Sequence, residues 1–106
     1  MAQPLVPPEL LDPAVAYFHP RCVILFGSMA RGDAGPDSDI DLLAILDDDA
    51  PEDKVTIKAG RESRRSYREP ADVSPVREST FRHRSRIAGT LSREASLDGI
   101  VVYERG

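Results

Sequence analysis

The residues best suited to chemistry stand at the two ends of one spacer: Gly27-Ser28, ten residues, then Asp39-Ile40-Asp41, all within "GSMARGDAGPDSDIDLLAIL". Side chains two apart on an extended strand share a face at about 6–7 Å separation, so Asp39 and Asp41 project together while Ile40 turns into the core. Two carboxylates aimed at one point repel unless something positive sits there. Oxygen-only ligation without His or Cys points to Mg²⁺ or Mn²⁺, ions that keep several waters and share their ligands with substrate phosphates. Gly27, with no Cβ, lets a phosphate approach the backbone N–H groups closely. Ser28 adds a hydroxyl donor at the start of a short helical turn, whose unpaired N–H groups suit an anion. Arg31 lies one turn on and can reach the same phosphates. A phosphate cradle beside a metal dyad describes a site for a nucleoside triphosphate. Asp72 is the candidate third carboxylate, able to bind a second metal and to draw the proton from an attacking hydroxyl.

A lone D-x-D says little in a chain this rich in Asp, and Ser38-Asp39 reads equally well as a turn or cap. The compound pattern G-S-x10-D-x-D is different, arising by chance on the order of once in a few hundred chains of this length and composition.

Positioning these groups is the work of a small set of elements. Residues Pro8 to Phe18 read as a helix, opened by Pro7-Pro8, with Leu10, Leu11, Ala14, Val15 and Phe18 at helical spacing. "CVILF" (Cys22 to Phe26) and Ile40 to Leu46 are apolar runs that suit strands covered on both faces. "SMARG" makes about one turn of helix and "DAGPDS" a loop. This connection is too short for a helical crossover and ample for an antiparallel return, which brings Gly27-Ser28 beside Asp39-Ile40-Asp41. Further on, the pattern predicts a helix from about Glu52 to Tyr67 with a thin apolar face (Val55, Ile57, Ala59). A short third strand around Ala71 to Val73 follows, bounded by Pro70 and Pro75. One long helix, capped by Ser79 or Thr80 and carrying Phe81, Ala88, Leu91 and Ala95 on one stripe, then runs to Asp98-Gly99; "IVVYE" is a fourth strand. The expected fold class is α/β (α+β): a mixed, partly antiparallel sheet of about four strands flanked by helices.

The totals set bounds. The 106 residues are the size of one domain, 1–106, and 41% hydrophobic content is enough for one core. The one cysteine, Cys22, excludes an internal disulfide and fits a reducing cytoplasm. No eighteen apolar residues run together, which argues against a membrane span. The net charge of -4 hides a division. From Asp33 to Asp53 every charged residue is acidic, whereas Lys54 to Arg93 is dominated by arginine, a half that suits phosphate, an acidic surface or plain solvated helix. Only Tyr67 and Phe81 interleave the arginines, a thin basis for base stacking, so direct nucleic-acid binding is not expected. His19, beside a proline, and His83, among arginines, read as surface residues.

"GS", "ARG", "SDIDLL" and the downstream "ADV" resemble the signature of the minimal nucleotidyltransferases of the DNA polymerase β-like superfamily. The resemblance extends over nearly the whole chain in its order of strands and helices. It implies transfer of a nucleoside monophosphate from a triphosphate with two Mg²⁺ ions. Gly27, Ser28, Arg31 and Ser38 would lie on the nucleotide side, Asp39 and Asp41 would hold metal, and Asp72 would complete the triad. Family members of this size are commonly antitoxins paired with an all-helical HEPN ribonuclease toxin, some of which attach AMP from ATP to a tyrosine of that partner. The expectation is therefore an ATP-dependent protein adenylyltransferase acting as antitoxin in a hetero-oligomer. The alternatives are an antitoxin that neutralises by binding alone, and nucleotidyl transfer to a small molecule or RNA. One departure stands out: "SP" after "ADV" replaces an apolar continuation and would end the third strand early.

Overall fold

A computed structural model of the chain describes residues 5–33, 35 and 38–106; the first four residues of the N-terminal segment, and Ala34, Pro36 and Asp37 of the spacer loop, lie outside the described residues. Helix α1 (Pro8–Phe18) starts on its proline pair and buries Leu10, Ala14 and Phe18, one residue per turn on one face. His19 ends it in the left-handed conformation at φ 48°. Strand β1 (Cys22–Phe26), the single turn α2 (Ser28–Arg31) and strand β2 (Ile40–Leu46) follow as expected. β1 and β2 pair antiparallel, from Cys22 opposite Ile45 to Phe26 opposite Asp41.

Beyond β2 three expectations change. In place of one helix from Glu52 to Tyr67 there is a 3₁₀ turn, Glu52–Lys54, and then a short α3 (Ile57–Ser63). Thr56 causes the break: its backbone is extended, and its hydroxyl accepts the Ala59 N–H at 3.0 Å, so a new helix is capped there. Of the expected apolar face only Ala59 is buried, while Ile57 is 77% exposed.

Strand β3 (Ala71–Arg77) runs straight through Pro75 rather than stopping at Val73. It is an edge strand, in a sheet ordered β3-β2-β1-β4, and an edge tolerates a proline whose missing N–H would face outward. It pairs with β2 in parallel, Ile40 opposite Ala71 and Asp41 opposite Asp72.

The single long helix is two, α4 (Glu78–Arg84) and α5 (Leu91–Asp98). Gly89, at φ 86°, turns the chain, and Thr90 caps α5 by accepting the Arg93 N–H at 3.1 Å. Ser79 does not cap α4; its own N–H donates to the Asp48 carboxylate at 2.8 Å. Strand β4 (Ile100–Glu104) is as expected and lies antiparallel on the free side of β1.

β1 and β2 are apolar at nearly every position because both faces are covered. One face carries Val23, Leu25, Ile40, Leu42, Ala44 and Leu46 against α1 and Ala59 of α3. The other carries Ile24, Phe26, Leu43 and Ile45 against Val76, Phe81 and Ala95. Leu10, Leu25, Leu42 and Leu46 are fully buried, each contributing about 1.5–3 kcal/mol of transfer free energy. No helix among the described residues is long and apolar enough to cross a membrane.

Two contacts lock this arrangement. A Cβ at Gly60 would run into the Val73 carbonyl oxygen, so α3 rests backbone to backbone on β3. At the opposite end of the sheet, Arg105 grips Asp47 with both terminal nitrogens (2.9 and 3.0 Å) and Arg21 adds a third bond at 3.1 Å. The bonds from Arg105 and then Arg21 pull the Asp47 carboxyl from its ordinary 3.8 down to about 2.

Two expected outcomes follow from those contacts. Gly60→Ala should lower unfolding stability by about 1–3 kcal/mol, read as a fall in the urea midpoint. Because the Asp47 pKa is depressed on folding, its contribution is present above pH 3.8 and is lost as pH falls toward about 2. An Asp47→Asn variant should therefore melt below wild type at neutral pH, with the gap closing over that window; a constant gap would exclude ion pairing as the cause.

Candidate active site

β1 ends at Phe26, whose partner on β2 is Asp41, so the next residue, Gly27, turns directly over that carboxylate. Its backbone (φ 78°, ψ −159°) lies in a region essentially confined to glycine. A Cβ there would sit 2.7 Å from Asp41 Oδ2. The Gly27 carbonyl then accepts the N–H groups of both Ala30 and Arg31 at 3.1 Å, which begins α2 and leaves Ser28 and Met29 ahead of the helical ladder.

The parallel register sets Asp72 beside Asp41 on the same face, on strands about 4.8 Å apart. Ile40, 8% exposed, anchors β2 between Asp39 and Asp41, and its N–H donates to the Pro70 carbonyl at 3.3 Å. Asp41 is half-buried, whereas Asp39 and Asp72 are exposed. Burial first, and then the charges of Asp72, Asp39 and Glu94, push the Asp41 carboxyl above its ordinary value.

The structure thus brings Gly27, Asp41 and Asp72 together and leaves Asp39 at the mouth of the strand. Among the described residues no three of His, Cys, Asp and Glu close into a metal cage. The donor set still fits a hard divalent cation. Two carboxylates are fixed on neighbouring strands, a third flanks them, and all donors are oxygens, as Mg²⁺ with its retained waters requires. Asp39, Asp41 and Asp72 are the residues that would hold it.

Two further expected residues are engaged elsewhere. Ser38 closes the spacer loop on itself: its hydroxyl accepts the Gly35 N–H at 2.9 Å, and its own N–H donates to the Gly35 carbonyl at 3.1 Å. Arg31 reaches not toward Gly27 but to Asp33 and Glu94, each at 3.3 Å. Glu94 has no signature in the sequence and enters only because α5 packs over the end of β1. A cavity of about 450 Å³ opens beside the carboxylates, lined by Asp41, Asp72 and Phe26, by Gly60 and Arg61 of α3 and by Arg64, which follows that helix.

A four-stranded mixed sheet flanked by helices, with a Gly-Ser turn packed over an in-register carboxylate pair, has the architecture of the polymerase β-like nucleotidyltransferases. The family model for the nucleotidyltransferase domain matches residues 17–102, and the chain belongs to that family. Two solved structures share the fold. A protein from Sulfolobus solfataricus, assigned as a nucleotidyltransferase, is 22% identical with a TM-score of 0.59, over 92% of this chain and 76% of that one. A toxin–antitoxin structure with AMP-PNP is 16% identical with a TM-score of 0.60, over 94% of this chain and 75% of that one. Comparison with curated protein sequences finds no significant relative.

Asp41→Asn removes one charge from a repelling cluster, so without divalent cations the variant should melt at a higher temperature than wild type. Added MgCl₂ should raise the wild-type melting temperature and leave that of the variant unchanged. A variant that melts lower in the absence of metal would contradict the repulsion.

Proposed function

We propose that the protein transfers AMP from ATP to a tyrosine hydroxyl of a partner HEPN-type ribonuclease toxin, and so acts as its antitoxin. The observation that carries the reading is the contact of Gly27 with Asp41, beside Asp72 in register. That contact gives a backbone surface for phosphate against a carboxylate pair for metal. Membership of the nucleotidyltransferase family and fold similarity to a toxin–antitoxin structure with AMP-PNP support it.

In this reading Gly27 and Ser28 receive the triphosphate, and Arg31 exchanges a carboxylate partner for a phosphate oxygen. Asp39 and Asp41 hold Mg²⁺ on the phosphate side, and Asp72 faces the acceptor. Two Mg²⁺ ions, when bound, supply the positive charge that neutralises the triphosphate and stabilises the leaving group. The acceptor oxygen forms a bond to the α-phosphorus as the bond from that phosphorus to its bridging oxygen breaks. Pyrophosphate leaves, and the hydroxyl proton passes to Asp72.

The test is incubation of wild type and Asp41→Asn with α-labelled ATP, Mg²⁺ and the candidate HEPN partner. Label should appear on the partner with wild type and fall by at least about 100-fold with the variant. A partner tyrosine-to-phenylalanine change should also abolish it. If Asp41→Asn still silences the toxin and wild type transfers no label, neutralisation by binding alone replaces the catalytic reading.

A further inference from the structure

The arginines between Arg61 and Arg84 take no part in that chemistry, yet the fold brings three of them to one groove. The cavity beside Asp41 and Asp72 wraps around the free edge of β3, since its lining includes Gly60 and Val73 on the α3 side and Leu91 on the α5 side. A second hollow shares Val55 and Pro75 with it, and a third shares Pro75 and Leu91; both reach Arg84. The three form one track along β3 with carboxylates at one end, Arg61 and Arg64 on the wall and Arg84 at the far end.

Two properties of this track select an occupant. Among the described residues, Arg21, Arg31, Arg65, Arg82 and Arg105 each hold a carboxylate, whereas Arg61, Arg64 and Arg84 have none within ion-pair distance. Free guanidinium groups favour planar anions, carboxylates among them, which they grip in bidentate fashion. The rims are aliphatic: Ile57 is 77% and Leu91 48% exposed, with Val55 and Pro75 between them. Phe26 is the aromatic side chain in the lining, and at 4% exposure it offers no ring for a base to stack on. Unpaired cations and aliphatic rims without a stacking surface suit a polypeptide rather than a single-stranded nucleic acid.

We infer that this groove is a docking track for an extended acidic segment of the acceptor protein, whose Asp and Glu side chains pair with Arg61, Arg64 and Arg84 while its hydroxyl reaches Asp72. The inference rests on the reading of a protein acceptor, and it assigns the Arg-rich half of the chain a role in choosing that acceptor. The probe is a fluorescein-labelled octapeptide of Glu, Asp and Leu around one tyrosine, followed by fluorescence anisotropy without nucleotide. Wild type should bind it and lose affinity with added NaCl. The triple variant Arg61→Gln/Arg64→Gln/Arg84→Gln should bind at least about tenfold more weakly. Arg65→Gln/Arg68→Gln/Arg86→Gln, with the same change of net charge, should stay within about twofold of wild type. Arg84→Glu alone, at an exposed position, should weaken binding about threefold even if the triple variant folds poorly.

Equal binding by wild type and the groove variants overturns the inference, as does tighter binding of a single-stranded oligouridylate of the same charge. Because nucleotide is absent, the outcomes separate. Peptide binding by a protein that transfers no label defeats the catalytic reading and leaves the groove standing; label transfer without peptide binding defeats the groove.

Discussion

Between the Gly27 backbone and the Asp41 carboxylate there is no room for a methyl group, and the front end of the molecule is arranged around that fact. The approach needs β1 to stop at Phe26, a backbone conformation closed to side chains, and a β2 register that presents Asp41 at that level. A register slip of one residue would carry Asp41 to the face packed under α1 and α3, burying its charge among apolar side chains, and put Ile40 in its place. The apolar faces of β1 and β2 forbid the slip. Their hydrophobic packing therefore does more than hold the sheet together, because it fixes the depth at which charge meets backbone.

The two faces of the sheet divide the labour. The larger core lies under α1 and α3, where close approach at Gly60 and the buried leucines provide rigidity. The opposite face carries the smaller cluster with Ala95 and Phe81, and on it Asp41 and Asp72 stand in line. Ion pairs run along the periphery, Arg21 and Arg105 to Asp47 at one end and Arg31 to Asp33 and Glu94 at the other. The repelling carboxylates thus stand on the less heavily packed face, while the larger core on the reverse side of the same strands holds them in register.

The first half of the chain was readable from sequence because its signals are dense and local. Proline opens α1, two all-apolar runs define β1 and β2, and a glycine separates the strand from the turn. The second half departs from its sequence pattern where a single side chain outweighs periodicity. Thr56 and Thr90 each start a new helix through one hydroxyl, and neither breaks the apolar pattern around it. Pro75 reads as a strand end in sequence, but a proline's cost depends on whether its strand lies at an edge, which is a property of the sheet order and not of the local sequence. At the candidate site, Gly27 and Asp41 are legible from spacing and Asp72 from its place on the expected third strand, whereas Glu94 and the grouping of Arg61, Arg64 and Arg84 come from packing between distant segments.

That sheet order leaves two open edges of unlike character. Along β3 a neighbouring chain seeking to extend the sheet meets Pro75, which has no N–H to offer, and unpaired arginines nearby. Along β4 it meets Ile100 and Val101, 36% and 55% exposed, on a strand with no proline and no charge before Glu104. Edge-to-edge growth into ribbons is thus blocked on the side that borders Asp41 and Asp72 and open on the other. Any aggregation of the native fold should begin at β4, and solubility and catalysis can be altered by substitutions at opposite edges of one sheet.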